Sequence, residues 1–335
     1  MNTKEYNLGI EILRVFLSFL VVMDHLYNSK KLKKYINILY YHIPTFFIIS
    51  FYFTYNTLLS FNIQKIKLRF ERLLIPYFAW SIIGWILRNI YFYIFKLNYV
   101  HSFEDFAKHI ITGHILNIVL WYQAILMFTT IIFLIIIFLF KKKFLFILHI
   151  LALIAYILQY SGLNHYLHNK YLNPHAALTF GRFPEAFPNA VTGFTFSFFK
   201  IITLLKKYRL NSIFYSSIIL IMISTYNIFD NLKTFKYGGI RLNIGASCIF
   251  IIFSLLPFEN IKNKTITNFI RQITRYTGGI YYMHYLVGTS IIFTKIMKNL
   301  IGTIIGCIFV YITCFFISHF SLKICGKSKL KYIFI

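Results

Sequence analysis

GIEILRVFLSFLVVMDH, residues Gly9 to His25, is apolar enough to enter a bilayer, yet it carries Glu11, Arg14, Asp24 and His25. Ionisable groups are costly in hydrocarbon, so inside a span they are candidates for function. At about 100° per residue, Asn7, Glu11, Arg14, Ser18 and His25 fall within a sector of roughly 60°. One polar stripe therefore runs along an otherwise lipid-compatible helix. Arg14 and His25 stand about three turns, or about 16 Å, apart on that face. Asp24 sits roughly 100° off the stripe, from where it can orient His25 or meet a neighbouring helix. Snorkelling of Arg14 and a solvated helix end at His25 account for each residue singly, but not for a shared polar face.

The rest of the chain reads as the same kind of material. Of 335 residues, 58% are hydrophobic and only 13% are charged, and the charges cluster between apolar runs. A soluble protein of this size would expose too much apolar surface. Counting about 20 residues per span predicts an all-α integral membrane protein of about ten transmembrane helices around a polar central cavity. The expected spans are 8–27, 38–60, RLLIPYFAW to about 95, LWYQAILM to about 140, and a fifth ending near Gln159. They continue as 189–205, 211–229, 241–257, the stretch TGGIYYMHYLVGTSIIF and 300–322. No linker or low-complexity segment divides the chain, so residues 1–335 read as one polytopic domain.

The net charge of +26 comes from 35 Lys and Arg against 9 Asp and Glu. These basic residues flank apolar spans, which points to anionic lipids and to topology rather than to nucleic acid. Their distribution predicts a multi-pass cell-membrane protein with both termini in the cytoplasm. The run KKLKK, Lys30 to Lys34, falls on the opposite side and dissents from the rule. Cys248, Cys307, Cys314 and Cys325 show neither a disulfide framework nor metal spacing, and no histidine group has a convincing ligand pattern. No metal is predicted.

Three further groups can carry chemistry. In KIKLRFERLLIPY, Arg69 and Arg72 are spaced i, i+3 at the start of a span. Two guanidiniums there can grip phosphate by forked hydrogen bonds, or simply anchor the inner face. In FGRFPEAFP, Arg182 and Glu185 have the same spacing between prolines, as an ion pair or as a wall of an acceptor cavity. In TGGIYYMHYLVG, Tyr281 and His284 share a helix face. His25 is the stronger catalytic candidate, because it has the polar stripe and a neighbouring acid.

The ordered set RVFLSFLVVMDH, IPTFFIISFYF, RFERLLIPYFAW, LWYQAILM, GRFPEAFPNAVTG and TGGIYYMHYL resembles the acyltransferase-3 family of integral membrane O-acyltransferases. Phe51 follows Ser50 where that family's second helix usually has glycine. No SGNH hydrolase-like segment is seen, so the resemblance is to the stand-alone form. It implies an acyl-CoA donor, usually acetyl-CoA, and a carbohydrate acceptor, either an extracytoplasmic glycan or a lipid-linked sugar, with cell-envelope glycan-assembly partners. On that basis Arg14, Arg69 and Arg72 are expected to hold the donor, and Tyr122, Arg182, Glu185, Tyr281 and His284 the acceptor. His25 is expected to act as general base or as nucleophile, with Asp24 fixing its tautomer. A transporter or flippase for a glycan intermediate or an acyl group is the rival reading, because polar stripes also line transport paths.

Overall fold

Asn7 starts the first helix by capping it. Its side-chain oxygen accepts a hydrogen bond from the Ile10 N–H at 3.2 Å, satisfying one of the free donors of the first turn. The computed structural model describes residues 7–26, 40–94, 102, 104, 106, 120–161, 182–229, 239–258, 261, 263–288, 300–326 and 328–334. Among them no strand occurs. The helices are α1 (Leu8–Leu26), α2 (His42–Leu59), α3 (Ile63–Ile94), α4 (Trp121–Phe140), α5 (Phe144–Tyr160) and α6 (Phe183–Phe198). They continue as the short α7 (Ile201–Lys206), then α8 (Arg209–Phe229), α9 (Ile240–Leu255), α10 (Lys264–Gly288) and α11 (Leu300–Cys325). Lys30 to Lys34 and the loop histidines at 101, 109, 114, 165, 168 and 175 lie outside the described residues.

Among the described residues three stretches are long and apolar enough to cross a membrane: Ile63–Leu87, Trp121–Tyr160 and Gly302–Cys325. Trp121–Tyr160 is two arms, α4 and α5, joined by a 3₁₀ turn at Lys141–Lys143, where Lys141 has a positive φ of 40°. Lipid-sized side chains such as Phe138, Phe146 and Leu153 are exposed along these arms. This is the surface of an all-α membrane protein, not of a water-soluble one.

Three helices begin earlier than their apolar runs suggest: α3, which starts at Ile63 rather than at Arg72, α6 and α10. α10 takes in Arg271 and Arg275, which the sequence reading assigned to a loop. Asn263 caps it, accepting from the Thr265 N–H at 2.9 Å, and nothing breaks the helix before Gly278. Both arginines are exposed while Thr274, Tyr276 and Thr277 are buried, so this half is amphipathic rather than uniformly apolar. α6 starts at Phe183 and contains Pro188, which cannot donate to the Pro184 carbonyl. The buried Gln159 side-chain amide of α5 donates to that carbonyl instead.

The chain packs as two compact units. One is Met1–Tyr55 with Pro188–Ser318, the other Asn56–Phe187 with His319–Ile335. In the first, Ile10, Leu13, Leu17 and Leu20 lie on the apolar face of α1 and pack with Ile48, Ala246 and Phe250. Their i, i+3, i+4 spacing is the complement of the polar stripe. Backbones approach closely here: a methyl group on Gly9 would stand 1.8 Å from the Phe253 carbonyl oxygen, and one on Gly193 would stand 2.2 Å from that of Ile48. Membrane helices associate largely through such packing. Gly9→Ala is therefore expected to destabilise the folded protein by about 1–3 kcal/mol, read as a lower midpoint in thermal unfolding in detergent. An unchanged midpoint would show that α1 and α9 do not touch there. In the second unit, α4 packs on both α3 and α5.

Candidate active site

The polar stripe of α1 is matched, residue by residue, by its neighbours in the first unit. Asn7 donates to the Ser254 carbonyl of α9 at 2.9 Å. The Thr274 hydroxyl of α10 reaches the Glu11 carbonyl at 3.4 Å. Ser18 and the Tyr311 hydroxyl of α11 lie 2.7 Å apart. At the far end, the rings of His25 and His284 meet edge-to-face with centroids 5.1 Å apart. Arg14 is the partly exposed member of the stripe and pairs with Glu11 at 3.4 Å.

Both histidines are oriented by their own helices. His25 Nδ1 lies 2.9 Å from the Val21 carbonyl oxygen, and His284 Nδ1 lies 3.3 Å from that of Ile280. A carbonyl carries no proton, so each Nδ1 donates, and in the neutral ring the lone pair resides on Nε2. The Val21 carbonyl thus holds the His25 proton at Nδ1. His284 is fully buried, and its Nε2 has no hydrogen-bond partner among the described residues. An orphaned buried nitrogen is costly unless a ligand or water completes it. Tyr281 stands beside His284, with ring centroids 6.1 Å apart.

Asp24 takes the second of its two expected options and meets a neighbouring helix. Its carboxylate lies 4.0 Å from His42 Nε2 of α2, with only 6% and 1% of the two side chains exposed. Asp24 and His25 are both within electrostatic reach of His284. His42 is the functional candidate that the sequence reading passed over. The signal was present: an ionisable group at the head of HIPTFFIISFYF obeys the same rule that singled out α1. Phe51, in the glycine position of the family pattern, is fully buried.

The remaining candidates belong to the second unit. Arg69 turns towards α4, where its Nε and Nη2 donate to the Thr130 hydroxyl at 3.3 and 3.2 Å. Tyr122 lies within electrostatic reach of it. Arg72, one turn on, faces a different neighbour, Tyr332, whose ring centroid is 5.8 Å from its guanidinium carbon. Arg182 stacks over the buried Trp121 ring at 4.2 Å. Glu185 lies in the first turn of α6, where the helix dipole favours a carboxylate.

An apposed histidine pair protonated at Nδ1 carries its lone pairs on Nε2, and such a nitrogen can abstract a proton or take up an acyl group, the two routes by which a histidine assists acyl transfer. No curated protein and no solved structure matches the chain. The sequence profile described as an acyltransferase domain matches residues 7–319, nearly its whole length. The chain therefore belongs to the acyltransferase-3 family and is a membrane acyltransferase.

Proposed function

We propose that the protein transfers an acetyl group from cytoplasmic acetyl-CoA to a hydroxyl of an extracytoplasmic or lipid-linked glycan. The observation that carries this reading is the contact of half-buried His25 with buried His284, whose Nε2 has no hydrogen-bond partner among the described residues. In this reading all ten long helices cross the membrane, and the stripe of α1 lines a polar cavity. Arg69 and Arg72, both of the second unit, hold the phosphates of the donor.

The chemistry follows from the tautomers. His25 Nε2 accepts the proton of the sugar hydroxyl as its oxygen attacks the thioester carbonyl. The carbon–sulfur bond breaks, the ester forms, and the coenzyme leaves as a thiolate. The imidazolium of His25 returns its proton to that sulfur, so atoms and charge balance. The Asp24 carboxylate, 4.0 Å from His42 Nε2, supplies negative charge next in sequence to the imidazolium that develops on His25. His284 Nε2 accepts a hydrogen bond from the acceptor, with Tyr281 beside it. A transient acyl group on His25 would use the same nitrogen, and hydroxylamine trapping distinguishes it.

One contact supports the expected topology. Lys329 Nζ lies 2.6 Å from Glu71 Oε1, so the basic C-terminal segment and the start of α3 share a face. The positive-inside rule puts both in the cytoplasm, where acetyl-CoA is.

The test is thiol release from acetyl-CoA by the reconstituted protein, titrated with capsular, lipid-linked and small-sugar acceptors. Release that depends on one acceptor class supports the reading and names the glycan. Glycan movement across the bilayer with no thiol released would favour a flippase instead. His284→Ala is expected to raise the KM for the acceptor by roughly tenfold, the value of one lost hydrogen bond to a buried group. The KM for acetyl-CoA should stay the same; a reversed pattern would remove His284 from the acceptor side.

A further inference from the structure

Residues 320–335 lie beyond the matched family region, and their end makes a connection that the proposed reaction does not use. After α11 the chain turns at Ser328, whose N–H bonds the Cys325 carbonyl at 2.9 Å and whose hydroxyl accepts from the Leu330 N–H at 3.2 Å. The turn opens a 3₁₀ segment, Lys329–Phe334, which lies against α3. The buried Trp80 anchors it: its Nε1 donates to the Ile333 carbonyl at 2.8 Å, and its ring meets Phe334 edge-on at 6.2 Å. Lys329 bridges to Glu71, and Tyr332 lies under Arg72.

The surface ion pair alone is worth little. Anchoring through Trp80 and Phe334 fixes the segment, and the consequence is a concentration of cations. Lys331 Nζ lies 5.4 Å from the Tyr332 ring centroid and the Arg72 guanidinium 5.8 Å from it. Glu71 already has Lys329 as a partner, so it does not neutralise this pair. Two cations held around one ring raise the local potential and favour an anion beside it. A phosphate suits the set: a forked guanidinium, an ammonium point charge and an aromatic face beside them.

We infer that the C-terminal segment Lys329–Phe334 forms one wall of the donor site, with Lys331 and Tyr332 joining Arg72 on a phosphate of the nucleotide end of the acyl donor. This rests on the donor reading of Arg69 and Arg72, and it assigns the last residues of the chain to binding rather than to topology alone.

The experiment measures coenzyme A and adenosine 3′,5′-bisphosphate binding by calorimetry to the full chain in phosphatidylcholine nanodiscs. Lys331→Ala with Tyr332→Ala is expected to weaken both ligands roughly tenfold, the scale of a lost charge-assisted contact. The KM for the acyl donor should rise equally while kcat stays unchanged. Lys331→Ala and Arg72→Ala should be non-additive, as groups on one phosphate are. Unchanged binding in the Lys331/Tyr332 variant, beside weakened binding in Arg69→Ala/Arg72→Ala, overturns the inference and leaves the donor reading standing. No binding by the unmodified protein overturns both. Displacement of the nucleotide by phosphatidylglycerol in the disc, lost in the Lys331/Tyr332 variant, assigns the cations to a lipid headgroup and also overturns the inference.

Discussion

Replacing His25 with alanine is expected to lower kcat for acyl transfer by about 10²- to 10⁴-fold, the usual contribution of a general base. The expectation rests on geometry at both ring nitrogens. Nδ1 is committed to the Val21 carbonyl at 2.9 Å, so the lone pair of the neutral ring is at Nε2. The ring packs against His284 at the end of a helix where Asn7, the Glu11 carbonyl and Ser18 are matched by α9, α10 and α11 and Arg14 by Glu11. Alanine removes the base without touching the Leu13–Leu17 packing face. Thermal stability and donor binding should therefore survive. A variant that stays folded and keeps near-normal kcat would remove His25 from the reaction.

Arg69→Ala combined with Arg72→Ala is expected to raise the KM for acetyl-CoA by roughly 10²-fold or more, from two lost charge-assisted contacts at about 1.5–3 kcal/mol each. The acceptor KM should move little. The two arginines are held differently, so their single effects should differ. Arg69 is fixed by two hydrogen bonds to Thr130, whereas Arg72 is exposed over Tyr332. Fixing a guanidinium in advance lowers the ordering cost of binding, so Arg69→Ala should be the more damaging single change. Titration of initial rates against each substrate separates the cases. A larger rise in the acceptor KM than in the donor KM would reject the phosphate role.

The sequence carried the helices well because each apolar run is bounded by charge, and bilayer thickness sets its length. The starts of α3, α6 and α10 were missed, the last two for a local reason. Pro184 lies in the first turn of α6 and Asn263 caps α10, so both helices extend into polar sequence that hydropathy alone assigns to loops. The stripe of α1 was legible because helical period alone aligns Asn7, Glu11, Arg14, Ser18 and His25. What answers the stripe was not: Ser254, Thr274, His284 and Tyr311 come from three later helices, and no spacing rule links them to α1. His42 was overlooked because it stands alone at the head of an apolar run, and its meaning comes only from Asp24 opposite it. The spacing of Arg69 and Arg72 suggested one shared partner, yet α4 claims one and the C-terminal segment the other. That division is tertiary, and i, i+3 arithmetic does not contain it.

The central claim is that this chain makes an ester at the end of α1 rather than moving a substrate past it. The most direct measurement follows acetyl-labelled acetyl-CoA in a single turnover with a glycan acceptor, counting alkali-labile ester on the glycan and free thiol together. The account predicts one ester for each thiol released, with both lost in His25→Ala. Label or glycan crossing the bilayer with neither product formed, in protein that still binds coenzyme A, would contradict it.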